Sequence, residues 1–299
     1  MTTGPPPGGR ARSRRVRRAV AATVILFAAW WLAGLIGALL LTQGSLAAVG
    51  ARSELGGRPV EAVATTTSDG LTVRGWLVRA ATAATRCVVL LPGIHANRLA
   101  LLPRAEWYLA HGWSALLVDL RGTGESDHAR ISMGWHESLD LLAWFAFLRE
   151  RGFTAIGAHG QSLGAAAIVF TAVRDSAPPP WHFVVLEACY VDIDAALSAR
   201  LPVPACVRWP LVVCGEWLMH ARAEDLRPEA AIRSLTVPTL VVAGAADGKI
   251  GPDAAARLLS ASAATDKRRF EVAGAGHVDL WGPGGADLQR TLGEFLAGR

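Results

Sequence analysis

The stretch Thr154-Ala155-Ile156-Gly157-Ala158-His159-Gly160-Gln161-Ser162-Leu163-Gly164-Ala165 runs from a short apolar segment, through two glycines around a serine, into an alanine-rich segment. Thr154 to Ala158 reads as a buried strand and Leu163 to Val173 as a helix. The string Gly160-Gln161-Ser162-Leu163-Gly164, which fits G-x-S-x-G, therefore occupies a strand-to-helix turn. In such a turn the serine backbone is strained and its neighbours must be small, which is what the glycines supply. The turn projects Oγ beyond the carboxyl edge of the sheet, with a helix N-terminus behind it to favour developing negative charge. The plainer alternative is a glycine-rich helix start with an N-cap serine.

Outward from this turn, short apolar runs alternate with longer amphipathic ones. Val60 to Thr67 and Leu71 to Arg79, joined by Ser68-Asp69-Gly70, read as a hairpin. Cys87 to Leu91, Ala115 to Asp119, Thr154 to Ala158, Phe183 to Leu186, Thr239 to Ala243 and Arg269 to Val272 suit buried parallel strands. Leu99 to Ala110, His136 to Arg151, Leu163 to Val173, Pro252 to Ala261 and Ala286 to Ala297 are helical candidates. A hairpin followed by repeated strand and helix units predicts an α/β domain over residues 59–299. Its sheet should be mostly parallel and eight-stranded, with helices on both faces. Residues 190–234 break the alternation and carry Pro202, Pro204, Pro210 and Pro228, which predicts a small helical cap inserted over the sheet edge.

Two further motifs keep this order. Leu90-Leu91-Pro92-Gly93-Ile94-His95-Ala96-Asn97-Arg98 follows the third of these strands, and Asp119-Leu120-Arg121-Gly122-Thr123-Gly124-Glu125-Ser126 follows the fourth. With the serine turn, they resemble the α/β-hydrolase superfamily in its esterase, lipase and serine-aminopeptidase-like branches, over residues 60–298. The first loop is similar to the family's oxyanion loop, with Pro92 where the family usually has His. The second is similar to its D-x-R-G-x-G-x-S loop, in which Asp119 and Arg121 take structural roles. The resemblance implies the α/β-hydrolase fold and acyl transfer to a serine.

A serine hydroxyl is a poor nucleophile near neutral pH, so a histidine must take its proton and a carboxylate must hold that histidine's tautomer. The family order is serine, acid, histidine. His95, His111, His128, His136, His159, His182 and His220 precede the end of the inserted segment. His277 alone lies in the last region, within Gly274-Ala275-Gly276-His277-Val278-Asp279, and is the expected base. Asp247, directly after the strand Thr239 to Ala243, is the expected acid, and Glu187, ending the preceding strand, is its rival. Asp192, Asp194, Asp253 and Asp279 read as caps or surface charges. The backbone N–H groups of Ile94 and Leu163 are the expected oxyanion donors. This chemistry requires no metal or cofactor, and the sequence has no CxxC pair or dense Cys/His cluster.

The insert is dense in apolar residues: Leu201, Val207, Trp209, Leu211, Val212, Val213, Trp217, Leu218 and Met219. They form either its own core or an apolar wall above Ser162, suited to acyl substrates. Cys206 and Cys214 are a candidate disulfide if the domain is exported, and Cys87 and Cys189 read as buried thiols.

The 299 residues include 30 Lys plus Arg and 25 Asp plus Glu, a formal charge of +5. Arg10, Arg12, Arg14, Arg15, Arg17 and Arg18 lie in the first 18 positions without an acid, leaving 24 basic against 25 acidic residues elsewhere. The near-neutral body excludes a nucleic-acid surface spread over the fold. With 52% apolar and 18% charged residues, intrinsic disorder is excluded for most of the length. Residues 1–18, which include Pro5, Pro6 and Pro7, predict a disordered basic arm. Residues 19–41 carry no charge and as a helix reach about 34 Å, enough to cross a hydrocarbon core of about 30 Å. Trp30 and Trp31, near the middle of this run, should pack against protein or lipid rather than sit in an interfacial belt.

An uncleaved signal anchor is the expected role of this segment, with residues 42–58 as a linker. The alternatives are a signal peptide cleaved near Ser45 to Ala48, for which the apolar run is long, and a buried soluble helix. A twin-arginine signal at Ser13-Arg14-Arg15 fits poorly, because Arg17 and Arg18 follow. Arginines on one flank keep the arm cytoplasmic and put the catalytic domain outside. The readings converge on a membrane-anchored serine hydrolase cleaving carboxylic esters of small, apolar acyl substrates. A peptidase or thioesterase of the same fold, or a catalytically silent membrane-tethered binding module, are the alternatives.

Overall fold

Runs of Val, Leu and Ile without polar alternation suit strands covered on both sides, and in the computed structural model they form the middle of one large sheet. The structure describes residues 8–81, 85–174, 179–251 and 253–299, with side chains from Ser13 onward. The first seven residues of the arm, including Pro5, Pro6 and Pro7, and Pro252 at the expected start of a helix lie outside the described residues.

The strands are β1 (Glu54–Leu55), β2 (Arg58–Thr66), β3 (Thr72–Val78), β4 (Arg86–Leu91), β5 (Ser114–Val118), β6 (Ala155–Gln161), β7 (Val184–Glu187), β8 (Thr239–Gly244) and β9 (Lys267–Val272). Their order across the sheet is β1-β2-β3-β5-β4-β6-β7-β8-β9. The pairs β1/β2, β2/β3 and β3/β5 are antiparallel, and every pair from β5/β4 to β8/β9 is parallel. Val88, Val89, Leu90 and Leu91 of β4 are fully buried, as are Leu116, Leu117 and Val118 of β5.

The helices are α1 (Gly8–Thr42), α2 (Leu102–Ala110), α3 (Glu137–Glu150), α4 (Leu163–Phe170), α5 (Ile193–Arg200), α6 (Ala205–Met219), α7 (Pro228–Ala231), α8 (Ala254–Ala261) and α9 (Trp281–Leu296). Trp107 of α2 meets Trp281 of α9 edge-on, while α3 packs on α4, α4 on α7 and α7 on α8. The cap comprises α5 and α6 between β7 and α7, with Asp192 capping α5 by accepting from the Ala195 N–H at 2.7 Å.

Three expectations are corrected. Among the described residues the sheet has nine strands, because two-residue β1 is too short to show a period in sequence. The stretch expected as a linker is bound to the domain: Ser45 and Leu46 pair with Thr123 and Gly124, and the N–H groups of Val49 and Gly50 donate to Glu125. The basic arm is helical from Gly8, with Ser13 to Arg18 exposed, because arginine and alanine are good helix formers and the long apolar run nucleates the helix behind them.

Helix α1 is long and apolar enough to cross a membrane; its most apolar window has mean hydropathy 2.4 and is only 11% buried, unlike a soluble core helix. Its second half packs against the cap. The rings of Trp30 and Trp31 lie 6.3 and 5.2 Å from that of Trp209, and Trp30 Nε1–H donates to the Val207 carbonyl at 2.9 Å.

Candidate active site

Ser162 joins β6 to α4 with φ 50° and ψ −107°, a conformation costly for a residue with a side chain. The turn is held from both sides. The Ser162 N–H donates to the Glu187 carbonyl at 2.7 Å, tying it to β7. A Cβ on Gly160 would lie 2.4 Å from the Gly164 carbonyl carbon, and one on Gly164 would lie 2.7 Å from Leu91 Cβ and the Pro92 carbonyl oxygen. Both glycines of the string are therefore required by space.

Asp247 sits just beyond β8, only 1% exposed. Its Oδ1 accepts from the N–H groups of Lys249 at 3.0 Å and Ile250 at 3.3 Å, which fixes the carboxylate plane. Its Oδ2 faces His277 Nδ1 at 2.8 Å, and His277 Nε2 lies 3.1 Å from Ser162 Oγ. An ionised Asp247 can only accept, so Nδ1 carries the imidazole proton and Nε2 is free to accept from the serine hydroxyl. Burial pushes the Asp247 carboxyl up, but the hydrogen bond and charge of His277, with the two backbone N–H groups, outweigh it and leave it below its usual value. Ser162, His277 and Asp247 thus lie in one hydrogen-bonded line.

Glu187 stands outside that line. Arg104 donates to it twice, Nε to Oε1 at 3.0 Å and Nη2 to Oε2 at 2.6 Å, and Nη2 also donates to Asp279 Oδ1 at 2.6 Å. His159 Nε2 lies 2.6 Å from Glu187 Oε1, while the Tyr108 hydroxyl lies 3.1 Å from His159 Nδ1. Burial would raise the Glu187 carboxyl, but the charge of Arg104, followed by His159, holds it at about 2. The cluster links β7, α2 and the loop carrying His277. Sequence reasoning missed it, since the only signal for Arg104 is its place one helical turn before Tyr108. Asp279, expected as a cap or surface charge, also accepts from the Trp281 N–H at 3.0 Å, though the N-cap position of α9 is Leu280.

A chamber of about 260 Å³ opens above Ser162 and His277. Ile94 and Leu163 border it, where the expected oxyanion donors should be. Tyr190, Ile193, Ala196 and Leu197 form a largely apolar wall from the approach to α5 and from α5 itself, and Leu41 in the last turn of α1 completes it. Arg200 and Lys249, both exposed, stand at its rim. Of the two readings of the insert's apolar residues, its own core or a wall above Ser162, the second does not hold for α6: none of its residues lines this chamber, and the helix packs against α1. Cys206 and Cys214 are free: both lie on α6, and eight residues of helix separate them by about 12 Å, beyond disulfide reach. Among the described residues, no group of three or more His, Cys, Asp or Glu could hold a metal ion.

No family model matches the chain. Over 180 residues it is 26% identical to the uncharacterized protein YqkD of Bacillus subtilis, a match covering 57% of this chain and 58% of that protein. Over 159 residues it is 43% identical to the polyketide transferase grgF of a Penicillium species, covering 46% of this chain and 54% of that one. The chain thus spans a little over half the length of these relatives. Among solved structures it resembles the Pyrococcus furiosus esterase Pf2001, with TM-score 0.70 and 18% identity over 86% of this chain and 97% of that one. It also resembles the α/β hydrolase GrgF from Penicillium, with TM-score 0.61 and 20% identity over 79% and 98%. The chain has the α/β-hydrolase fold.

Proposed function

We propose that this chain is a serine hydrolase that cleaves carboxylic esters of apolar acyl substrates. The observation that carries the reading is the line from Ser162 Oγ to His277 Nε2, 3.1 Å, and from His277 Nδ1 to Asp247 Oδ2, 2.8 Å, at a strained turn opening into an apolar chamber. His277 takes the hydroxyl proton as Ser162 attacks the carbonyl, and Asp247 stabilises the imidazolium. The backbone N–H groups of Ile94 and Leu163 hold the oxyanion. The tetrahedral adduct collapses as His277 gives its proton to the leaving alcohol, and water activated by the same histidine releases the acid. The 43%-identical relative is named a transferase, so acceptors other than water belong in the assay.

In the same reading α1 is a single-pass anchor, with the arginine flank cytoplasmic and the catalytic domain on the other side. The test is labelling with a fluorophosphonate probe followed by mass spectrometry, alongside turnover of p-nitrophenyl butyrate. Label on Ser162, and loss of label and turnover in Ser162→Ala, are expected. Label elsewhere, or equal turnover by the variant, overturns the assignment. A panel of acyl esters, thioesters and aminoacyl amides separates an esterase from a thioesterase or peptidase.

A further inference from the structure

Helix α6 combines two properties that conflict in water. From Leu201 to Gly215 the single charged residue is Arg208, so the loop and helix are apolar on nearly every side. A helix of that kind belongs inside a protein or in a membrane. Helix α1 covers one side of α6, and Met133, Ile193 and Leu197 adjoin its second half, yet Val203, Val207, Trp209 and Trp217 are 41, 50, 51 and 70% exposed.

The alignment of the two helices says where this exposed face lies. Trp30 of α1 meets Val207 and Trp209 near the start of α6. A Cβ on Gly34 would lie 2.5 Å from Pro210 Cβ, and farther along Ala38, Leu41 and Thr42 adjoin Gly215, Glu216 and Met219. The helices therefore run side by side in the same direction. With Arg18 at one edge of a hydrocarbon core about 30 Å thick, Trp30 lies about 18 Å in and Ala38 reaches the far edge. The first turns of α6 then lie about 12 Å beneath that edge, and Trp217 emerges at the boundary, where tryptophan is favoured.

We propose that α6 and the loop from Leu201 to Pro204 are a second lipid-embedded element, entering beside α1 the leaflet nearest the catalytic domain. The proposal rests on the reading of α1 as an anchor. Its occupant is the bilayer's acyl chains, which suit the apolar face, while Arg208 is partly satisfied by donating to the Leu201 carbonyl at 3.1 Å. The consequence reaches the active site. Leu41, at the boundary, lines the Ser162 chamber together with Leu197 and Arg200 of α5. The chamber mouth is thereby held at the lipid surface. Its rim carries Arg200 and Lys249, which are in no ion pair among the described residues and so can meet lipid phosphates. Acyl substrate would enter from the bilayer rather than from bulk water.

Cys206, exposed in the first turn of α6, is a native reporter. Full-length Cys214→Ala protein, nitroxide-labelled at Cys206 and reconstituted in phosphatidylcholine–phosphatidylglycerol vesicles, is examined by power-saturation electron paramagnetic resonance with oxygen and nickel chelate. Oxygen accessibility several-fold above that of the chelate is expected at Cys206, and a Trp217→Cys probe should read near the headgroups. Val203→Cys repeats the measurement should the Cys206 label disturb α6. Val24→Cys, with Cys206 and Cys214 replaced, reports α1 alone. Hydrocarbon at position 24 with water at 206 and 203 overturns the proposal and leaves the anchor standing; water at all three overturns both. Spin–spin broadening at 206 that disappears on dilution with unlabelled protein would show a second copy covering the face and also overturn the proposal.

Discussion

The guanidinium of Arg104 and the carboxylate of Glu187 form a two-pronged, fully buried pair, with donor distances of 3.0 and 2.6 Å. The pair explains why Glu187, at the carboxyl end of the strand beside the nucleophile turn, is unavailable to His277: its oxygens are taken by Arg104 and His159. Because the Glu187 carbonyl accepts from Ser162 and Arg104 also holds Asp279, the pair braces the serine turn and the histidine loop together.

Arg104→Met should destabilise the domain by about 3–5 kcal/mol at pH 7, since it strands a buried carboxylate. The pH dependence should differ in sign. In the wild type the Glu187 carboxyl is held at about 2, so its contribution is complete above its ordinary value and lost as pH falls toward 2. Without the guanidinium, burial raises that carboxyl, and the variant recovers stability as the group protonates. Urea melts at about pH 7 and 4.5 should show the gap narrowing at the lower pH; a constant gap would refute the electrostatic account.

Asp247→Asn should lower kcat on p-nitrophenyl butyrate by roughly three to four orders of magnitude while leaving the fold intact. An amide can donate to Nδ1, which would put the imidazole proton on Nε2 and leave nothing to accept from Ser162. Because His277 holds the Asp247 carboxyl below its ordinary value against burial, the wild-type group is ionised at every pH above that value, and the deficit should persist from about pH 6 to 9. A loss below tenfold would point to another orienting group.

Five of the eight expected strands, β4 to β8, were legible because a strand covered on both faces is apolar at successive residues, whereas β2 and β3 were legible as a hairpin and edge strand β9 is mostly exposed. The meeting of Ser162, Asp247 and His277 was legible for a related reason: each follows a strand end, and the strand order brings those ends together. Arg104 was not legible, because its partners lie 83 and 175 residues away and nothing local marks its burial. The direction of α6 was not legible either. Apolar density says that a partner exists but does not distinguish the Ser162 chamber from another helix.

Gly160→Ala should cost at least about 1–3 kcal/mol and abolish probe labelling, since its Cβ would lie 2.4 Å from backbone that cannot retreat. Gly282→Ala, in the first turn of α9 with nothing within 4 Å of the added carbon, should instead be neutral or stabilising by up to about 1 kcal/mol. Denaturant midpoints of the two variants should therefore move apart; equal shifts would remove the steric explanation for the string.

The mature protein should retain residues 1–48. Cleavage near Ser45 to Ala48 would strip Ala38 and Thr42, each 1% exposed, along with the pairing of Ser45 and Leu46 and the Leu41 wall of the chamber. Intact-mass measurement of protein from membranes checks this. A new N-terminus between Ser45 and Val49 in active enzyme would show that α1 is dispensable to the site.

Gly34→Leu should weaken substrate binding from outside the site. Its side chain would drive α6 away from α1 at Pro210, where the close approach of the two helices leaves no room even for a methyl group, at a cost of about 1–3 kcal/mol. Leu41 and Leu197 would shift with the helices they border, while Ser162, His277 and Asp247 are carried by β6, β8 and the loop after β9. KM for p-nitrophenyl butyrate should rise several-fold with a smaller change in kcat. Leu40→Ala, on the exposed side of α1, should change neither constant. If the two variants behave alike, α1 does not shape the chamber; if Gly34→Leu alone raises KM, α1 is part of the chamber wall.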